Sequence, residues 1–149
     1  MDSGLVRSGD LQEMCFNPNT KDREKKGTTM FIFERLDVWQ KSIEFADSVY
    51  RVTRSFPENE RFGLTSQMRR AAVSVSSNIA EGSSRYSKPD FAHFLEIATG
   101  SVFEVVSHSF ISRRQGFLTD AAFQKIYDAA AEQGRMLSGL RNSQLPIRR

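Results

Sequence analysis

The chain has 149 residues, a formal net charge of +3 and one cysteine, Cys15. That length suits one domain with a sizeable core, and a lone thiol makes neither an intramolecular disulfide nor a thiolate metal cage. No uninterrupted apolar run reaches the roughly 20 residues of a membrane span, and the N-terminal MDSGLVRSGDLQEMC lacks a signal-peptide core; a cytoplasmic protein without membrane attachment is expected, basic enough to meet a polyanion.

Residues 1–32 read as a flexible N-terminal extension. Asp2, Asp10, Glu13, Asp22 and Glu24 balance Arg7, Lys21, Arg23, Lys25 and Lys26, and NPNTKDREKKGTT is polar and turn-forming. The interleaved acids make KDREKK a solvated linker rather than a nucleic-acid arm. Met30 directly precedes the ordered pattern FIFERLDVWQ and is a second candidate translation start.

Residues 33–142 are expected to form the bundle, the apolar period becoming helical from Leu36. In the first helix, Leu36, Trp39, Ile43, Ala46, Tyr50 and Thr53 form one stripe, expected to be the core face. Val38, Phe45 and Val52 form a second stripe at seven-residue spacing. A monomer surface helix needs only one, so a second implies burial on two sides, by a fourth helix or by a neighbouring subunit, and the three are candidates for an oligomer interface. Pro57 closes this helix. The second helix starts near Thr65 as N-cap, buries Leu64, Met68, Ala71, Ala72, Val75 and Ile79, and ends on Gly82 as a left-handed C-terminal residue. Ser87, with Asp90 three positions on, is a capping-box variant opening the third helix, about 88–115. Its inner face is Phe91, Phe94, Leu95, Ala98, Val102, Val105 and Ser109; Phe103 and Phe110 lie off that face and join the expected interface. Gly116 ends it. Thr119 caps the fourth helix, whose Phe123, Ile126, Ala130, Leu137 and Leu140 face inward, and residues 143–149 are expected to fray. No strand pattern competes. The fold class is all-α, an antiparallel up-down-up-down four-helix bundle.

The segments FERLDVWQKS (33–42), FGLTSQMRRAAVSVSSNIAEGSSR (62–85), DFAHFLEIATGSVFEV (90–105) and GFLTDAAF (116–123) carry a specific resemblance. Over residues 33–140 the chain resembles the bacterial four-helix-bundle proteins encoded by intervening sequences in 23S ribosomal RNA genes, a family that includes the accessory protein of diversity-generating retroelements. The resemblance implies a bundle assembling as a ring-like homopentamer. It implies no settled activity for the ribosomal members; the retroelement protein binds nucleic acid and its reverse transcriptase through basic surface. Ser76 departs from a common proline, and VVSHSF (105–110) from a more polar stretch.

Antiparallel topology gathers Arg51, Arg54, Arg61, Arg69, Arg70, Arg113, Arg114 and Lys125 at one pole, against Glu58, Glu60, Asp120 and Asp128. Helices of about 20 residues are about 30 Å long, well beyond a Debye length of about 8 Å, so the two poles act as separate electrostatic surfaces. Of these cations, Arg54, Arg61, Arg69, Arg70, Arg113, Arg114 and Lys125 are the candidate contacts to RNA or DNA. Arg113 and Arg114 also complement a helix C-terminus; Arg69 and Arg70, near a helix start, are open to pairing with Glu58 or Glu60 or across subunits. Only Phe62 and Tyr86 are aromatics in loops, so phosphate-dominated binding is expected over base reading.

Catalytic and metal constellations fail. His93 and His108 share one helix, about 22 Å apart, too far for one ion. Ser74, Ser76 and Ser77 have no histidine nearby and no glycine elbow. Asn78 and Glu81 read as structural polar residues at a helix end. No catalytic residue, metal or cofactor is called for; the expected partners are further copies of the chain, RNA or DNA, and a reverse transcriptase.

Overall fold

The computed structural model describes residues 31–146. Four helices account for most of them: α1 (Asp37–Thr53), α2 (Leu64–Ser83), α3 (Lys88–Arg114) and α4 (Asp120–Gln144). Short 3-10 turns at Ile32–Arg35 and Glu58–Glu60 precede α1 and α2. The four form an all-α antiparallel bundle in which α1 packs on α2 and α4, and α3 packs on the same two helices. Residues 1–30, with the expected extension and Met30, lie outside the described residues.

The helix ends follow local chemistry. The Ser87 hydroxyl accepts the Asp90 N–H at 3.1 Å and the Thr119 hydroxyl accepts the Ala122 N–H at 3.1 Å. Each satisfies one of the donors a helix start leaves unpaired. At the end of α3, Gly116 sits at φ 78°. Its N–H donates to Arg113 O at 3.0 Å and the Phe117 N–H to Ser112 O at 2.9 Å, the paired bonds of a Schellman motif.

Two expected termini are corrected. Thr65 is not the cap of α2: it lies buried inside the first turn, and the Glu60 carboxylate accepts the Leu64 N–H at 3.0 Å instead. Gly82 is not a left-handed stop: it is helical, and a Cβ there would come within 2.7 Å of Phe94 Cβ and 2.8 Å of Phe91 Cδ2. Its lack of a side chain is what lets α3 approach α2. The fourth helix also runs past the expected fraying point, through Ser143 to the buried Gln144.

The register of α1 is the largest correction. Its core face is Val38, Ser42, Phe45, Val49 and Thr53, while Ile43 and Tyr50 are exposed. Val38 and Phe45 are therefore core residues of the single chain, 5% and 2% exposed, and not an oligomer interface. Val52 is half-buried against the same core. Of the expected stripe, Leu36 and Thr53 are buried and Trp39 and Ala46 half-buried against the core; Ile43 and Tyr50 were misplaced because the true face runs through Ser42, a hydroxyl residue. Ser42 donates to Trp39 O at 2.6 Å and Thr53 to Val49 O at 2.8 Å, so each hydroxyl is satisfied by its own helix and can be buried cheaply.

Buried polar groups also join the helices. Gln133 of α4 donates to Val38 O at 3.0 Å. Between α2 and α3, the Ser101 hydroxyl donates to Ser74 Oγ at 2.9 Å, and Asn78 Nδ2 reaches the same Oγ at 3.0 Å and Ser74 O at 2.8 Å. Asn78 thus ends a small interhelical network. Glu81 instead pairs with Arg85 at 2.7 Å on the surface.

The third helix is apolar and long enough to cross a membrane by length and composition alone, a property that the search for an uninterrupted apolar run did not register. Its Leu95, Ala98, Val102 and Val105 belong to the bundle core. Ala92 is buried and Phe91 and Val106 pack against that core, whereas Ile97, Phe103, Phe110 and Ile111 are exposed.

Candidate nucleic-acid interface

The end of α1, the start of α2, the end of α3 and the start of α4 meet at one pole, as antiparallel order requires. The arginines there fall into two groups. Arg69 is engaged within the chain: its Nε–H donates to Thr53 Oγ1 at 2.9 Å and its guanidinium lies 4.8 Å from the Tyr50 ring centroid. Arg113 lies 4.0 Å from the Phe123 centroid and 5.5 Å from that of Phe110, with Nε 4.0 Å from Asp120 Oδ1. Arg61 is 3.8 Å from Glu58 and 5.5 Å from the Phe62 centroid, and Arg51 pairs with Asp47 at 2.6 Å.

Arg54, Arg70, Arg114 and Lys125 are different. All four are exposed, and none forms an ion pair among the described residues. At the opposite pole, Lys41 pairs with Glu44 at 3.1 Å, Arg85 with Glu81, and Arg141 with Glu96 at 2.6 Å. The hydrogen bond and charge of Glu44 raise the Lys41 pKa above its ordinary value, joined by the charges of Glu132 and Asp37. Lys88 and Arg135 carry no ion pair among the described residues, so the contrast is one of degree.

Sequence reasoning placed the basic pole and missed the partners of its arginines. Arg69 was open to pairing with Glu58 or Glu60 or across subunits; within the chain, Thr53 and Tyr50 of the neighbouring helix hold it instead. Helical spacing put Tyr50 and Thr53 on one stripe, and only the rotation of α1 turns that stripe toward α2.

A groove of about 790 Å³ runs between α1 and α2, lined by Tyr50, Arg61, Phe62, Ser66, Arg69 and Arg70 among others. On the opposite side, between α3 and α4, lies an apolar groove of about 470 Å³. Phe103 and Phe110 line it, 68% and 47% exposed, together with Val106, Tyr127 and Ala131. Phe110 meets the Phe123 ring edge-on at 4.9 Å. Tyr127 was not among the expected interface residues; its position one turn beyond Phe123 was the available signal.

Among the described residues, no group of three His, Cys, Asp or Glu side chains could hold a metal ion. His93 is exposed. His108 Nε2 lies 3.5 Å from Glu104 Oε1, and its buried Nδ1 has no hydrogen-bond partner.

Against known proteins, residues 34–139 match the family described as 23S rRNA-intervening sequence protein. Among solved structures, the chain is similar to a protein with unknown function from the S23 ribosomal protein family of Bacteroides thetaiotaomicron. The two share 25% identity and a TM-score of 0.63, over 70% of this chain and 97% of that one. No curated protein matches. Neither description names an enzymatic activity. The family match takes in α1, α2 and α3 whole and α4 through Gly139, so the chain belongs to the 23S rRNA-intervening sequence protein family.

Proposed function

We propose that this protein is a non-enzymatic, homo-oligomeric accessory factor of the cytoplasm that holds RNA or DNA on its basic pole. The observation that carries this reading is the set of four exposed cations there, Arg54, Arg70, Arg114 and Lys125, without ion pairs among the described residues. A paired surface cation has part of its field cancelled; an unpaired one meets a phosphate at full strength and releases a counterion on binding. One subunit offers a modest patch, and an oligomer would repeat it into an extended positive surface. A reverse transcriptase is the protein partner that the retroelement resemblance adds.

The test is anisotropy of labelled RNA and DNA over roughly 50 to 200 mM salt. Affinity is expected to fall steeply with salt. The combined reversals Arg54→Glu, Arg70→Glu, Arg114→Glu and Lys125→Glu are expected to abolish binding while helicity is kept. Absence of binding by the wild-type chain at low salt would overturn the reading.

A second reading, a protein-interaction scaffold with no nucleic-acid role, is favoured by the α3/α4 groove. Exposed Phe103 and Phe110 suit burial against a second copy, and the resemblance implies that copies close into a ring of five. Light scattering that returns a monomer at micromolar concentration counts against both readings.

A further inference from the structure

We infer that the α1/α2 groove is a site for single-stranded nucleic acid, with a base stacked on Phe62 and the adjoining phosphates held by Arg69 and Arg70. The inference rests on the nucleic-acid reading above and makes it more specific, because four loose cations alone would not separate a single strand from a duplex.

Phe62 is 87% exposed in the segment between α1 and α2. The Arg61 guanidinium lies 5.5 Å from its ring centroid, so an incoming base would meet an aromatic face already flanked by a cation. Every base has such a face to offer, which makes stacking tolerant of sequence. In a duplex those faces are covered by neighbouring base pairs, and Phe62 has nothing to stack on.

Arg69 supplies the second element. Its Nε–H is committed to Thr53 Oγ1 and its plane rests on Tyr50. Thr53 is itself fixed by its bond to Val49 O. The guanidinium is therefore held in place at the groove wall, with its terminal amino groups unpartnered among the described residues. A fixed planar fork of N–H donors matches the oxygens of a phosphate. Arg70 adds an exposed cation without an ion pair among the described residues, and Ser66 lines the same wall.

The dimensions agree. The groove's volume of about 790 Å³ falls within the range of roughly 300–1,000 Å³ for ligand sites. Leu64, next to the Phe62 loop, stands six residues before Arg70, or about 9 Å along the helix. That puts the Phe62 loop and Arg70 within reach of neighbouring parts of one short strand. The site fits a short run of single strand at one end of a longer electrostatic track.

The experiment compares three labelled probes with the full chain at equal salt: a short oligouridylate, the same strand carrying abasic positions, and a duplex RNA of the same length. The intact single strand is expected to bind at least about tenfold tighter than the other two. Phe62→Ala is expected to lower its affinity roughly 5- to 100-fold, leave duplex binding unchanged and leave the salt slope unchanged; Phe62→Tyr restores the wild-type value. Arg70→Ala is expected to reduce the slope of log K against log salt by about 0.7. Equal, salt-dependent binding of all three probes with no effect of Phe62→Ala overturns the inference and leaves the basic-pole reading standing. No binding of any probe overturns both. If Phe62→Ala changes the mass by light scattering and not the RNA affinity, Phe62 belongs to a contact between copies and the inference fails.

Discussion

The two grooves on opposite sides of the bundle have different chemistry. The α1/α2 groove is walled by arginines, serines and two aromatics whose rings carry guanidinium groups. The α3/α4 groove is walled by phenylalanine, valine, tyrosine and alanine. One is built to meet charge and flat rings; the other offers only a surface to remove from water. On the proposed reading, a polyanion and a second copy of the chain would take different faces and would not compete.

The comparison depends first on the rotation of α1. With Val38, Phe45 and Val49 inward, Tyr50 is turned toward Arg69; rotated the other way, the α1/α2 groove would lose its aromatic wall. Phe45→Ala should therefore destabilise the fold by about 3–5 kcal/mol, as for other buried phenylalanines. Ile43→Ala, on the exposed side, should cost under about 1 kcal/mol. Urea unfolding of the two variants checks this, and comparable losses would mean that the register is wrong.

The α3/α4 side is tested by a charge. Phe103 is exposed and makes no ring contact among the described residues, so Phe103→Glu should leave the stability of one subunit within about 0.5 kcal/mol. If the groove is buried between copies, the same substitution places a carboxylate in an apolar contact and weakens association by about 2 kcal/mol or more. Light scattering across a dilution series reads the difference. An unchanged mass at every concentration would remove this groove from the assembly.

Much of this fold was legible because its signals are local. Ser87 and Thr119 cap the helices that they precede, and Gly116 takes the positive φ that ends α3. The register of α1 was only partly legible, since Ser42 counts as polar until its hydroxyl is seen bonded to its own helix. Gly82 was ambiguous for a different reason. A glycine near a helix end serves equally as a left-handed stop or as a gap for a neighbour, and only Phe91 and Phe94 of α3 decide. The basic pole followed from topology and charge. Which of its arginines are tied down did not, because Thr53 and Tyr50 approach Arg69 from another helix.

The α1/α2 wall is tested more gently by Thr53→Val, which keeps the shape of the side chain and removes the acceptor for Arg69. A hydrogen bond to a charged donor contributes about 1.5–3 kcal/mol, and the partial exposure of Arg69 places the loss near the lower end. Stability should fall by about 1.5 kcal/mol. RNA affinity should fall as well, because the guanidinium is no longer held against Tyr50. A stability loss without any change in RNA binding would mean that Arg69 is a structural residue only.

The smallest effect on stability is expected from a cation of the proposed nucleic-acid pole. Arg70 is exposed and forms no ion pair among the described residues, so Arg70→Ala should shift the unfolding free energy by less than about 0.5 kcal/mol. Arg141 makes the useful contrast. It is bonded to Glu96 by both Nε and Nη2, at 2.7 and 2.6 Å, and an exposed pair of this kind contributes about 0.2–1 kcal/mol. Arg141→Ala should therefore cost more stability than Arg70→Ala. In nucleic-acid binding the order should reverse. Losing Arg70 removes one phosphate contact and lowers the salt slope by about 0.7–0.9, whereas Arg141 lies at the other pole, its charge already offset by Glu96, and its loss should leave the slope unchanged. A pole that works through its unpaired cations requires this crossing of the two orders; equal slopes for the two variants would mean that binding follows net charge alone.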